Sequence, residues 1–459
     1  MRTSGGLGWT QLAGRLPPAA VMSGIFLLTF VIHAMSPVTT STDSAWTIHV
    51  AASILREGNI NLDEYRPLMN LQLDYRLREF RGHIYDYYPV ATPALVAPVV
   101  WLANRVYALG HPSDFYAYLS QHAPDDRTAR LEKLAASGFV ALAAVFMYLV
   151  ARARLPTAAS MGISLLFAFA TSMWSTASRA LWQHGPSALF LAMALYLLVV
   201  AVDKPAAIFC TGLILAGAYL IRPTNSLSVA FIGVWFLMSR RRRFWLFAAG
   251  ALVVFIPFLL QNWITYGNVL PPYSYQLFER LGTPRSFGEA LAGTLISPSR
   301  GLFIFTPLFG FCIYGAYRLI RRGRLSLDAV EPYLIAIIVG HWITTSLFED
   351  WGGAWSIGPR YFVDITPYLV YFLIPLLEMR LLVRPALKYA FIACVLLSTI
   401  IQLRCAVSVY PFQWNGKPQA LVDAPERKWD WGDMQFLRGL CPGDPLEGRA
   451  PSCWLNRGS

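Results

Sequence analysis

Apolar runs close to twenty residues long recur along the chain, separated for the most part by short polar connections. The first covers residues 18–35. Others fall at about residues 134–151, 157–175, 185–202, 205–221, 224–239, 244–262, 301–320, 331–348, 363–379 and 386–404. A helix of that length matches the roughly 30 Å hydrocarbon core of a bilayer, so each run predicts a membrane-crossing helix. Residues 89–108 break the pattern: Pro89, Pro93 and Pro98 punctuate the run, which closes on Asn104, Arg105 and Tyr107. If it crosses, the later basic connections fall on the wrong side. Read as an interfacial or partly embedded helix, it leaves Arg152 with Arg154, Lys204, Arg240 to Arg243, Arg318 to Arg324 and Arg380 to Lys388 on the side of Arg2 and Arg15. That is the positive-inside pattern, with a cytoplasmic N-terminus. The expectation is an all-α polytopic membrane protein of about eleven spans. Residues 1–404 form its membrane region, with interfacial helices in a first external loop at 37–133, and residues 405–459 form a short external tail.

Composition agrees. Of 459 residues, 56% are hydrophobic and 14% charged, and the mean hydropathy is +0.45. The formal charge of +12 (38 Lys and Arg against 26 Asp and Glu) invites a nucleic-acid partner, but the cations sit in short cytoplasmic connections, which excludes that class. Ala34-Met35-Ser36-Pro37 is a poor cleavage site, so no removable leader is expected. Cys210, Cys312 and Cys394 lie inside apolar runs as packing residues. Cys405, Cys441 and Cys453 lie in the tail or at its edge, where Cys441 and Cys453 would suit a disulfide on an oxidising side. No nucleotide-binding glycine loop, internal repeat or metal-ligand spacing stands out.

The chemistry gathers on the external side. The stretch from Thr42 to Gly58 opens with Ser, Thr and Asp, then places Trp46, Val50, Ser53, Ile54 and Glu57 at helical spacing. It predicts a short helix near the membrane surface with the Asp43 carboxylate at its start. Asp43 is a candidate general base; its alternative is a plain N-cap, which would lower its pKa and its basicity. Asp63 and Glu64 offer a second acid or a solvated turn. Tyr85 and Tyr88, in His83-Ile84-Tyr85-Asp86-Tyr87-Tyr88-Pro89, read as an interfacial belt leading into a helix on the membrane. Arg179 and His184 join two spans, the histidine as a structural residue or a contact, the arginine facing an anionic headgroup. Arg222-Pro223 interrupts two apolar runs near membrane depth, where an ionisable side chain is a functional candidate. Arg300 precedes a helix start that suits phosphate. In Glu349-Asp350-Trp351-Gly352-Gly353-Ala354-Trp355-Ser356-Ile357-Gly358-Pro359-Arg360-Tyr361, glycines permit close backbone approach, Trp351 and Trp355 can stack on a sugar or isoprenoid, and Arg360 and Tyr361 complete a polar end.

These elements, in this order, resemble the GT-C glycosyltransferases: an acid after the first span, Tyr-Pro-x-x-Thr-Pro before a partly apolar helix, Arg-Pro between middle spans, and a late Gly-Pro-Arg-Tyr loop. The nearest branch holds protein O-mannosyltransferases and bacterial lipid A aminoarabinose transferases. The resemblance covers about residues 18–404. It implies transfer of a sugar from a polyprenyl-phosphate carrier to an acceptor hydroxyl on the periplasmic face of a bacterial inner membrane, with inversion. Asp43 would be the base, and Arg179, Arg222, Arg300 and Arg360 would hold the donor phosphate. The acceptor would be a cell-envelope glycan, lipid or protein, with no metal or cofactor required. Many relatives carry paired acids where Ser44 follows Asp43 here, so a second acid would have to come from Asp63 or Glu64. The competing class is a glycolipid transporter or flippase, which predicts inverted repeats, broken helices at mid-membrane and functional residues on both faces. A structural assembly subunit would leave the external arginines without purpose.

Overall fold

The computed structural model describes residues 17–275, 281, 284–323 and 326–440; Cys441 and Cys453, the expected disulfide, lie outside them. Pro18 opens α1 (Pro18–Met35) in the first-turn position that tolerates a missing N–H. The loop that follows folds on a core of its own. In it α2 (Thr47–Arg56) packs against α3 (Ala91–Ala108), and Trp46, Ile48, Tyr65, Leu77, Ile84, Val96 and Val100 are buried between them and their neighbours. Where the sequence reads as a lead-in to a helix, the chain forms a small antiparallel hairpin, β1 (Leu77–Phe80) with β2 (His83–Asp86). Leu77 pairs with Asp86 and Phe80 with His83. Arg81 and Gly82 take φ of 52° and 82°, the left-handed pair that a two-residue hairpin turn demands. The all-helical expectation therefore needs this one correction.

A short helix α4 (Phe115–Leu119) precedes α5 (Asp126–Arg152), which starts with an Asp125–Thr128 capping box. α5 is the central packing element. It contacts α1, α6 (Thr157–Phe169) and α7 (His184–Val200), using a run of alanines that lets helices come close. α8 (Pro205–Ile221), α9 (Ser226–Ser239) and α10 (Phe244–Tyr266) follow. α8 and α10 cross through Gly212 and Gly250: a Cβ on either would stand 2.0 Å from a carbonyl oxygen of the other helix. Later come α11 (Pro284–Ile296), α12 (Phe309–Arg321), α13 (Glu331–Ser346), α14 (Thr366–Tyr371), α15 (Leu373–Glu378) and α16 (Pro385–Val407).

Four helices among the described residues are long and apolar enough to cross a membrane alone: Pro18–Met35, Asp126–Arg152, Arg241–Tyr266 and Pro385–Val407. Shorter apolar helices occupy 157–169, 184–200, 205–221 and 366–378. On α10, Leu252, Val253, Ile256 and Leu260 are all more than half exposed, and Trp245 and Trp263 are exposed at its two ends. Those tryptophans are about 27 Å apart at helical rise, close to a hydrocarbon thickness, so α10 carries an apolar face with an aromatic at each boundary. The chain is a membrane protein. The run expected as one span over 301–320 is broken, a four-residue turn Leu302–Phe305 preceding α12. Gln402 donates to the Phe305 carbonyl at 3.0 Å and the Leu308 N–H donates to Ser398 at 3.1 Å, so α16 satisfies the backbone freed by the break.

Candidate functional site

Asp43 does not cap α2. The N-cap position is Trp46, with no side-chain cap, and the Asp43 carboxylate turns instead into a cavity of about 1480 Å³. Its Oδ1 accepts from the Tyr75 hydroxyl at 2.9 Å and its Oδ2 meets Arg360 Nη1 at 3.2 Å. Burial alone would push the carboxyl up. The Arg360 guanidinium and the hydroxyls of Tyr75 and Tyr88 outweigh it and hold Asp43 below the usual carboxylate range. Arg360 is fixed from the sides as well, 4.9 Å over the Trp182 ring and 5.6 Å over Tyr361.

Behind the wall lies an acid that carries no motif. Asp364 is fully buried, with Oδ2 2.5 Å from Arg222 Nε and Oδ1 3.0 Å from His184 Nδ1. Arg222 and His184 both line the cavity, so one carboxylate from the start of the α14 segment orients a cation from the α8–α9 turn and an imidazole from the start of α7. The two partners meet both oxygens of this buried carboxylate. The signal that could have found it is a lone Asp between Val363 and Ile365 at the head of an apolar run, an ionisable residue in an expensive place.

The remaining candidates divide by position. Tyr88, Trp351, Trp355 and Tyr361 line the same cavity as Asp43, Arg222, Arg360 and His184. Tyr85 does not; it lines a separate, largely apolar cavity of about 310 Å³ on the far side of Tyr88. Asp63 accepts from the Ile84 N–H at 2.9 Å and pairs with His83, while Glu64 accepts from Ser53. Both support the hairpin and α2, and neither reaches the cavity. Asp43 acts on the carboxyl of Asp86, which burial above all pushes up to about 8 and which lines the smaller cavity. Ser44 donates to Glu132 of α5, tying the Asp43 segment to the membrane core.

Arg179 and Arg300 are likewise drawn away from the cavity. Arg179 is fully buried and donates to the carbonyls of His33 and Ser36, closing the C-terminal end of α1. Arg300 is 1% exposed; it donates to Gln435 Oε1 at 2.8 Å, Asn415 Oδ1 at 2.5 Å, the Ala354 carbonyl at 3.1 Å and the Ser299 carbonyl at 2.9 Å. Its guanidinium therefore pins the C-terminal segment to the 349–361 loop. Arg300→Ala is expected to strand these acceptors at about 1–3 kcal/mol each. The thermal midpoint should drop and limited proteolysis after residue 408 should accelerate; unchanged proteolysis with weaker anion binding would return Arg300 to the site. The loop glycines also serve packing rather than a ligand. Gly353 (φ 74°) leaves room for the Arg360 side chain, and at Gly358 (φ 56°) a Cβ would strike the Phe305 ring at 2.6 Å.

Thr42, Thr92, Trp182, Gln183, Thr224 and Arg360, all lining the cavity, each hold a buried polar atom without a protein partner. Such groups are costly in isolation and favour a polar occupant. Among the described residues no group of three or more His, Cys, Asp or Glu side chains converges as a metal site.

No family model matches the chain, and no curated protein sequence matches it. Solved structures do. The apo structure of ArnT from Cupriavidus metallidurans aligns over 82% of this chain and 62% of its own, at 14% identity and a TM-score of 0.52. ArnT from the same organism bound to undecaprenyl phosphate aligns over 85% and 71%, at 13% identity and a TM-score of 0.50. An Archaeoglobus fulgidus oligosaccharyltransferase in complex with Zn and sulfate aligns over 89% and 57%, at 13% identity and a TM-score of 0.50. The chain thus spans about three fifths of the length of the apo ArnT it matches. ArnT, a lipid A aminoarabinose transferase, and the oligosaccharyltransferase are both GT-C glycosyltransferases. The fold is of that type, as the order of motifs implies.

Proposed function

We propose that the protein is a glycosyltransferase that moves a sugar from a polyprenyl-phosphate carrier to an acceptor hydroxyl, with inversion at the anomeric carbon. The observation that carries this reading is the Asp43–Arg360 pair at the wall of a large cavity, with Arg222 and His184 beside it. An acid and two arginines side by side fit a reaction that needs a base for the nucleophile and positive charge for a departing phosphate.

Paired with Arg360, Asp43 is a weak base. A donor phosphate entering the cavity competes for the guanidinium, and Asp43 gains basicity as Arg360 turns toward the phosphate. The acceptor oxygen then attacks the anomeric carbon and its proton passes to Asp43. The bond from that carbon to the phosphate oxygen breaks, and polyprenyl phosphate leaves with the electron pair, stabilised by Arg360 and Arg222. Donor binding thereby switches the base on, which limits wasteful attack by water on an empty site. Tyr75 and Tyr88 hold the carboxylate in place meanwhile. Eleven spans, a cytoplasmic N-terminus, a periplasmic active site in a bacterial inner membrane, and a membrane core ending near residue 404 belong to the same reading.

The decisive assay is release of free polyprenyl phosphate by the purified chain in lipid, offered a panel of polyprenyl-phosphate sugars with an envelope extract as acceptor. Release from one donor, with inverted anomeric configuration in the product, supports the enzyme. Movement of intact donor across the bilayer without release would favour the transporter instead. That alternative also expects a helix break facing a substrate path, whereas Thr306 and Leu308 are fully buried and lie off the cavity.

A further inference from the structure

The cavity has two walls of opposite chemistry. One carries Arg222 from the α8–α9 turn, Arg360 from the end of the 349–361 loop and Asp43 from the first loop. The other is built by the C-terminal segment and the elements it rests on, and among the described residues it presents Glu289, Glu349, Asp350 and Glu426 with Lys428. A phosphate is attracted by the first wall and repelled by the second. On the reading that the donor phosphate occupies the arginine wall, the space left along the other is where the acceptor must lie.

That second wall is held rigidly. Ser297 and Ser299 both donate to the Lys428 carbonyl, at 2.5 and 3.2 Å, and Arg300 binds Gln435 and Asn415 further along. Arg427 donates to the carbonyls of Trp414 and Lys417, each at 2.9 Å, with its guanidinium 4.4 Å over the Trp414 ring. From this fixed backbone Trp429 donates to Glu289 at 2.9 Å, and its ring lies 6.2 Å from that of Trp351. The Lys428 ammonium sits 4.6 Å over Trp351. Trp351 is almost fully buried, so the indole faces left to a ligand are those of half-buried Trp429 and of Trp355, which is 46% exposed and rests on Phe412.

Aromatic faces beside carboxylates that accept from hydroxyls, and one ammonium that donates to them, are what a neutral sugar ring requires: an apolar face to stack and polar edges to bond. We propose that the C-terminal wall is an acceptor subsite for a neutral saccharide, with Trp429 as its stacking platform and Glu289, Glu426 and Lys428 as its hydroxyl partners. This inference rests on the glycosyltransferase reading for its role, though the binding it predicts can be read separately.

Two measurements on the full-length protein in lipid nanodiscs test it. Neutral trisaccharides of glucose and of N-acetylglucosamine, a uronic-acid trisaccharide and a threonine-containing peptide are titrated by calorimetry. Each is then added to donor turnover, followed as carrier release. The neutral trisaccharides are expected to bind and to stimulate release, and Trp429→Ala to lower both their affinity and their acceptor kcat/KM about tenfold. Trp429→Phe, which keeps a stacking face, should recover most of the loss and controls for folding. Binding of only the uronic-acid sugar or the peptide overturns the proposal, as does equal response of wild type and Trp429→Ala. Should wild type release carrier from no donor, the glycosyltransferase reading fails, and the titration alone then decides the subsite: saccharide binding lost in Trp429→Ala upholds it, and no binding overturns it.

Discussion

Asp43→Asn is expected to lower the rate of carrier release by a factor of about 10²–10⁴, the range over which a positioned general base contributes. Donor affinity should change little or rise, because Arg360 loses its carboxylate partner and is free for phosphate from the start. The sign of the pH dependence follows from the same pair. Asp43 is held below the usual carboxylate range of about 3.9 by Arg360, Tyr75 and Tyr88 against the opposing effect of burial. A base is active only when ionised, so in the free enzyme kcat/KM should stay flat on the acid side down past the ordinary carboxylate range. When phosphate draws Arg360 away, that restraint weakens, and the acid limb of kcat should lie at higher pH than that of kcat/KM. A pH series on single-donor turnover reads both limbs. If Asp43→Asn turned over at the wild-type rate, Asp43 would be only a tether for Tyr75 and Arg360, and the base would have to be sought elsewhere.

Asp364→Asn carries the second large effect, and here stability and turnover should fall together. Removing one member of a buried ion pair leaves the other unpaired, at a cost of about 3–5 kcal/mol. Arg222 would lose its 2.5 Å partner and His184 its acceptor. A lower thermal midpoint in detergent and weaker donor binding are the expected readouts. The double variant Asp364→Asn with Arg222→Gln separates the two consequences: neutralising both partners should restore much of the stability, since the unpaired charge is gone, while donor binding stays weak. Recovery of donor binding in the double variant would mean that Arg222 does not meet the phosphate.

The parts of the site that were legible in the sequence are those whose cost is local. An acid directly after the first span, an arginine between two apolar runs with almost no loop, and a tryptophan- and glycine-rich loop ending in Arg360 each stand out against hydropathy, because a membrane penalises them where they stand. Asp43, Arg222, Arg360, His184, Tyr88, Trp351, Trp355 and Tyr361 do share one cavity. Tyr85, Asp63, Glu64, Arg179 and Arg300 are candidates in the sequence as well, yet none of them lines it. Nothing in a one-dimensional pattern says whether a guanidinium will meet a ligand or a carbonyl from another element.

Hydropathy and charge asymmetry by themselves determined that this chain is a helical membrane protein, where its apolar segments lie, and that its chemistry gathers in the loops after the first span and near residue 355. Those features follow from the solvent each segment meets, which is decided residue by residue. Pairing was left to the tertiary structure. Asp43 and Arg360 are 317 positions apart and Asp364 lies 180 from His184. The Arg300 contacts with Asn415 and Gln435 span 115 and 135 residues. Each depends on the directions in which distant helices and loops pack, so only the folded chain makes Asp364 the hub behind the cavity, Arg300 a clamp, and the C-terminal segment a wall.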